Sequence, residues 1–260
     1  MPELANTAVS DRVNSRLYDR GYMFSDIRQT FRALDSLARD HRRLNPAMEI
    51  VYRELFLKEL QEAGMRDEYH PVGSAASHGL MYFLIRALRT FPLTRVMELG
   101  AGQSTVLIDR AKHQLSLACE VVTVEHDQHW LSEMQPHVRH AIVHASLQPR
   151  TVEGRTISYY AHPEIDAGPP VDLLVVDGPP AYQSTVRFNR LGALDVIEAR
   201  LAKDFIIVVD DAERPGEALL VDLVRKRLNA RGDAHRQSSI AAAKRQTIFA
   251  GGAFTKAAFF

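Results

Sequence analysis

The chain predicts an α/β fold: a mostly parallel sheet flanked by helices, with a C-terminal antiparallel hairpin and an N-terminal helical extension. Three observations carry that reading. From Arg95 onward, short β-branched runs alternate with amphipathic stretches, the pattern of strands joined by crossover helices. The stretch VMELGAGQSTVLIDRA, from Val96 to Ala111, runs strand character into Gly-Ala-Gly and then directly into a helical pattern. Two apolar pieces between Ser238 and Phe259, around Gly251-Gly252, fit a terminal hairpin.

Taken in order, three helical patterns precede the glycine turn. The second is the best delimited: Asn45 suits an N-cap, Pro46 the first helical position and Gly64 the C-terminal stop. Residues 1–70 are expected to form the extension or lid, and 71–260 the main domain. The third pattern, Ser74 to Arg89, places Leu80, Met81, Phe83, Leu84, Ala87 and Leu88 at helical spacing, a core-facing stripe. Strands are expected at Arg95–Leu99, Val121–Glu125, Ala141–His144, Val171–Asp177 and Phe205–Asp210. Helices are expected near Ser104–Lys112, Gln128–His137, Gln183–Ala199 and Pro215–Ala230.

Composition bounds the function. With 32 Lys plus Arg against 32 Asp plus Glu, the formal charge is zero, so no global field favours nucleic acid or an anionic membrane. The single cysteine, Cys119, lies in an apolar run and reads as a buried structural thiol. The polar N-terminal stretch lacks an apolar signal core, and no apolar run reaches membrane-spanning length, so a cytoplasmic protein is expected.

A strand, a glycine turn and a helix N-terminus together form a cradle for a nucleotide-like cofactor. A dinucleotide fingerprint would need a third glycine, and Thr105 stands in its place, which counts against a nicotinamide-dependent oxidoreductase. The stretch instead resembles motif I of the class I S-adenosylmethionine-dependent methyltransferases, an acid followed by Gly-x-Gly, here Glu98, Gly100, Ala101 and Gly102, with Ser104 opening the helix. The strand Val122-Thr123-Val124-Glu125-His126-Asp127 is similar to that family's second strand, which ends in an acid.

The resemblance, running from about Ser74 to Phe260, implies a Rossmann-like fold with S-adenosylmethionine as cofactor. It implies that Glu125 accepts hydrogen bonds from both ribose hydroxyls, that Glu98 orients the amino group, and that His126 and Ser146 lie by the adenine. A structural reading, in which Glu98 and Glu125 only solvate the carboxyl edge of the sheet, competes with it. His70 and His78 are candidates for the pocket mouth, and Trp130 for helix packing or adenine stacking.

Two later strands end in acids, Asp177 and the pair Asp210-Asp211, which would converge at the carboxyl edge. This arrangement resembles the metal-dependent small-molecule O-methyltransferases of the catechol type, which bind magnesium through an Asp after the fourth strand and an Asp-Asn pair after the fifth. Here the pair is Asp-Asp, and Pro180 stands where that group has a lysine. The resemblance thus implies Mg2+ or another divalent ion on Asp177, Asp210 and Asp211. The competing reading has Asp177 touching substrate or cofactor, as the catalytic proton acceptor, while Asp210 and Asp211 cap a helix or pair with Arg187, Arg190 or Arg214.

The expected function is methyl transfer to a small acceptor, most simply an oxygen, with self-association allowed. A cofactor-binding regulatory module on the same fold is the alternative from outside catalysis.

Overall fold

The computed structural model describes residues 44–70 and 75–260. The first helical pattern and the cluster Arg39, His41, Arg42 and Arg43 lie outside the described residues, as does Ser74. Helix α1 (Met48–Glu62) starts later than its Asn45-Pro46 signal, which forms a turn instead: Met48 N–H donates to the Asn45 carbonyl at 2.9 Å. Gly64 does end the helix, with φ at +65°.

Helix α2 (His78–Thr90) is capped by Ser77, whose hydroxyl accepts the Leu80 N–H. The two helices pack together through apolar and ionic contacts. Phe56 and Leu60 enter the same core as Leu80, Phe83 and Leu84, and the buried carboxylate of Glu59 receives Arg86 and Arg89.

The strands and helices then alternate: β1 (Arg95–Leu99), α3 (Gln103–Gln114), β2 (Glu120–Glu125), α4 (Gln128–Met134), β3 (Ile142–His144). A hairpin of β4 (Leu147–Val152) and β5 (Arg155–Tyr160) forms a separate two-stranded sheet, and the short α5 (Pro163–Asp166) follows. Next come β6 (Val171–Val176), α6 (Ala193–Arg200), β7 (Leu201–Val209), α7 (Pro215–Arg231), β8 (His235–Ala241) and β9 (Arg245–Gly251).

The main sheet has seven strands in the order β3-β2-β1-β6-β7-β9-β8. Strands β1, β2, β3, β6 and β7 are parallel, and β9 runs antiparallel between β7 and β8. This is a Rossmann-like arrangement, and the strand order reverses at β1, which lies between β2 and β6. Alternate residues of β6 face opposite cores: Leu173 and Val175 pack with α1–α3, and Leu174 and Val176 with α6 and α7. Coverage on both faces explains why the strand is uninterrupted in its apolar character.

The terminal hairpin exists, with its turn at 242–244 and not at Gly251-Gly252. Gly251 is instead a strand residue where a Cβ would meet the Phe205 ring at 2.4 Å. Residues Gly252–Phe259 form a 3-10 helix. The helix expected from Gln183 begins only at Ala193, after a 3-10 turn at Asn189–Gly192. Cys119 is buried and unpaired.

Candidate active site at the carboxyl edge of the sheet

The reversal of strand order leaves a crevice at the ends of β1 and β6, where open α/β sheets bind ligands. The backbones nearly touch there. Gly100 has φ at +96°, and a Cβ on it would lie 3.0 Å from the Gly178 nitrogen, so two glycines allow the two loops to cross. Gly102 differs: its backbone is extended, with φ at −172°, and a Cβ on it would meet nothing within 4 Å. The open space is what a close-approaching ligand requires.

The turn is held from below by a chain of hydrogen bonds. Gly102 N–H donates to Thr105 Oγ1 at 2.8 Å, and that hydroxyl donates to Glu98 Oε2 at 2.6 Å. Thr123 Oγ1 also donates to Glu98 Oε2, at 3.0 Å. Thr105, the residue that breaks the dinucleotide fingerprint, is therefore the hub of this turn. Glu98 is wholly buried and acts on the turn through Thr105, while its Oε1 has no hydrogen-bond partner. Burial pushes its carboxyl up to about 7, against the hydrogen bonds of Ser104, Thr105 and Thr123.

Glu125 ends β2 beside the turn. Its Oε1 accepts the His126 and Asp127 N–H groups at 2.7 and 2.8 Å, and its Oε2 accepts the Ala101 N–H at 3.0 Å. Although burial opposes ionisation, the hydrogen bonds from His126, Asp127 and Ala101 hold this carboxyl below its ordinary range. With two amides on Oε1, the remaining acceptor capacity lies on Oε2, which has room for one ribose hydroxyl where the resemblance implied two. His126 Nδ1 is 2.6 Å from Oε1, and the carboxylate raises the imidazole pKa.

Trp130 donates its indole N–H to the Ala101 carbonyl at 2.8 Å and stays 44% exposed, so it braces the turn while keeping a free ring face. Ser146 is exposed, with its carbonyl accepting the Ala161 N–H. His78 does not reach the crevice: its ring is paired with Glu49 of α1 at 2.9 Å. At His70 the backbone is tied to the Gln103 side chain beside the turn.

On the other side, Asp177, Asp210 and Asp211 converge as expected, with one oxygen from each within 4.8 Å of the others. They are not alone. The buried Arg190 guanidinium reaches Asp177 Oδ1 at 3.1 Å and Asp211 Oδ2 at 3.2 Å, and lies 3.5 Å from Glu217. Lys244 Nζ is 3.3 Å from both Asp210 Oδ2 and Asp211 Oδ1. Arg214 adds a contact to Asp211 at 2.8 Å, and Gln246 Nε2 donates to Asp210 Oδ1 at 2.5 Å.

Of the pairings expected for these acids, Arg190 and Arg214 are made, whereas Arg187 lies over the Phe188 ring. As arranged, the set does not fit a divalent ion: Arg190, Arg214, Lys244 and Gln246 already stand at Asp177 Oδ1, Asp211 Oδ2 and both Asp210 oxygens, and an ion bridging Asp210 and Asp211 would have to displace Lys244. Asp177 is the most exposed of the three, at 23%, and its carboxyl is pushed up to about 8 by burial and by Asp210, against the pull of Arg190.

The residues that sequence reasoning missed are Lys244, Gln246, Glu217 and Tyr160. The buried Tyr160 hydroxyl has no hydrogen-bond partner and abuts Gly178, where a Cβ would approach it to 2.3 Å.

The cradle residues fit the cofactor that the resemblance implies, on two observations: the open position at Gly102, and the orphaned buried hydroxyl of Tyr160 against Gly178. No known family's sequence profile matches the chain, and no curated protein does.

Solved structures similar to it include the Bacillus cereus O-methyltransferase in complex with S-adenosylhomocysteine, at 11% identity and TM-score 0.48, covering 76% of this chain and 91% of that one. A Pyrococcus furiosus methyltransferase has 15% identity and TM-score 0.44, covering 79% and 96%. The Streptomyces achromogenes O-methyltransferase TomG, in complex with S-adenosylmethionine, has 15% identity and TM-score 0.42, covering 77% and 89%.

Proposed function

We propose that the chain is an S-adenosylmethionine-dependent methyltransferase acting on an oxygen of a small acceptor. The observation that carries this reading is the turn itself: Gly102 leaves its Cβ space open directly beside Ala101, whose N–H is locked to the Glu125 carboxylate. A glycine approach next to an ionised strand-end acid suits a ligand that brings hydroxyls and no phosphate. The Thr105 hub supports this over a dinucleotide.

Gly100, Ala101 and Gly102 would line the cofactor, Glu125 Oε2 would accept a ribose hydroxyl, and the Tyr160 hydroxyl and Glu98 Oε1 supply unspent polar atoms. When bound, the cofactor would supply an electrophilic methyl group to the acceptor oxygen, and Asp177 would take the acceptor proton. Asp177 suits that task once ionised, because a carboxylate whose pKa is raised to about 8 is a stronger base than an ordinary one, and its ionised fraction grows as pH approaches 8. Arg190 fixes its side chain from behind, through Asp177 Oδ1 and the Asp177 carbonyl.

The formal charge of zero favours a small-molecule partner over nucleic acid, and we place the protein in the cytoplasm. No described helix is long and apolar enough to cross a membrane.

Calorimetric titration tests the reading. S-adenosylhomocysteine should bind saturably and raise the melting temperature, and NAD+ should do neither. Binding of NAD+ in preference to S-adenosylhomocysteine would overturn it.

A further inference from the structure

We infer that the Lys244 ammonium occupies the cation position among Asp177, Asp210 and Asp211, so that this site needs no divalent ion and presents an N–H donor to the acceptor oxygen. The second half of the statement rests on the proposed methyl transfer; the first rests on geometry alone.

Lys244 reaches the acids because of the terminal hairpin. Residues 242–244 turn between β8 and β9, with Ala242 N–H donating to the Lys244 carbonyl, and Ala212 N–H bonds the Arg245 carbonyl. That tie brings the turn onto the segment that carries Asp210 and Asp211. From there Nζ bridges Asp210 Oδ2 and Asp211 Oδ1 at 3.3 Å each, with the side chain 20% exposed.

Two further oxygens of the set are taken. Gln246 Nε2, also donating to Ser77 Oγ, holds Asp210 Oδ1, and Arg190 and Arg214 hold Asp211 Oδ2. A hard cation requires about six oxygen ligands at roughly 2.0–2.6 Å. Bridging the pair at those distances would put a double positive charge within a few ångströms of Nζ. An ammonium has three N–H donors. One is donated to Asp210 Oδ2 and the charge stands 3.3 Å from Asp211 Oδ1, which leaves donor capacity for a hydroxyl or phenolate oxygen entering beside Asp177. The lysine thus supplies positive charge and one directed donor without a metal.

Manganese binding followed by electron paramagnetic resonance decides the matter, with and without S-adenosylhomocysteine, on the folded wild type and on Lys244→Ala, Lys244→Gln and Lys244→Arg. The wild type and Lys244→Arg should show no saturable Mn2+ binding up to millimolar concentration. Removing the ammonium should create a site at least tenfold tighter, and adding Asp177→Asn to Lys244→Ala should remove it. Saturable micromolar Mn2+ binding by the wild type would overturn the inference, as would the absence of any gain in folded Lys244→Ala and Lys244→Gln. If S-adenosylhomocysteine fails to bind while the Mn2+ pattern holds, the methyltransferase reading falls and the cation assignment stands.

Discussion

The two halves of the crevice hold their acids in different ways. On the β1–β2 side, Glu125 is satisfied by three backbone amides, from Ala101, His126 and Asp127, all within 24 residues of it along the chain. On the β6–β7 side, Asp177, Asp210 and Asp211 are satisfied mainly by side-chain cations, from Arg190 and from Lys244, 34 residues beyond Asp210. Amide donors are fixed by the fold and carry little net charge. Cations can be exchanged, displaced or deleted. The β1–β2 half is therefore built like a mould, and the other half like a charge balance.

Deleting a cation should have the largest effect. Arg190→Met leaves Asp177, Asp211 and Glu217 facing one another, and unpairing a buried charge costs about 3–5 kcal/mol. Thermal denaturation should show a large fall in melting temperature; a loss of only a degree or two would mean that the charges relax into solvent. The effect of breaking the mould should come next. Gly100→Ala combines the left-handed backbone, about 1–2 kcal/mol, with overpacking against Gly178 of about 1–3 kcal/mol.

Gly102→Val separates fold from ligand. Its backbone is extended and its Cβ space is open, so the melting temperature should hold while S-adenosylhomocysteine binding is lost. Normal binding would remove Gly102 from the cradle. Glu125→Gln should weaken that ligand by about 1.5–3 kcal/mol, the range of a hydrogen bond to a charged group, read as a roughly ten- to hundredfold rise in Kd.

The contrast also sets the pH dependence of stability. Glu98 and Asp177 have folded pKa values of about 7 and about 8, above their ordinary 4.5 and 3.8. The folded protein thus keeps protons that the unfolded chain releases, so stability from these groups is full below about pH 4 and falls as pH rises through 7 and 8. Melting temperature should decline from pH 5 to 8, and Glu98→Gln should flatten part of the slope. An upward trend over that range would contradict the buried, protonated state of these acids.

The same contrast explains what could be read from the sequence. The parallel strands were legible because each is a short apolar run bounded by polar turns, and the mould was legible because its residues lie together between Glu98 and Asp127. The β4–β5 hairpin was missed although Glu153-Gly154 is a turn signal, both residues having positive φ, because β4 is mostly exposed and β5 opens on the exposed Arg155 and Thr156, so neither reads as an unbroken apolar run. The terminal turn was misplaced because glycines mark turns, yet Gly251 is small for the sake of Phe205. Lys244 carried no local signal at all. It follows Ala241-Ala242-Ala243 in a stretch with no acid nearby, and only the antiparallel return of β9 brings it to Asp210 and Asp211.

That return has a consequence for synthesis on the ribosome. The parallel strands β1, β2, β3, β6 and β7 emerge first, and until β9 follows, β7 offers an unpaired edge ending in two acids that lack their lysine. Such an edge is a template for intermolecular pairing. A chain stalled or cut before residue 244 would keep the whole glycine turn with Glu98 and Glu125 and lose solubility first, so nascent-chain pull-down should find chaperones on the nearly finished chain and not on its early half.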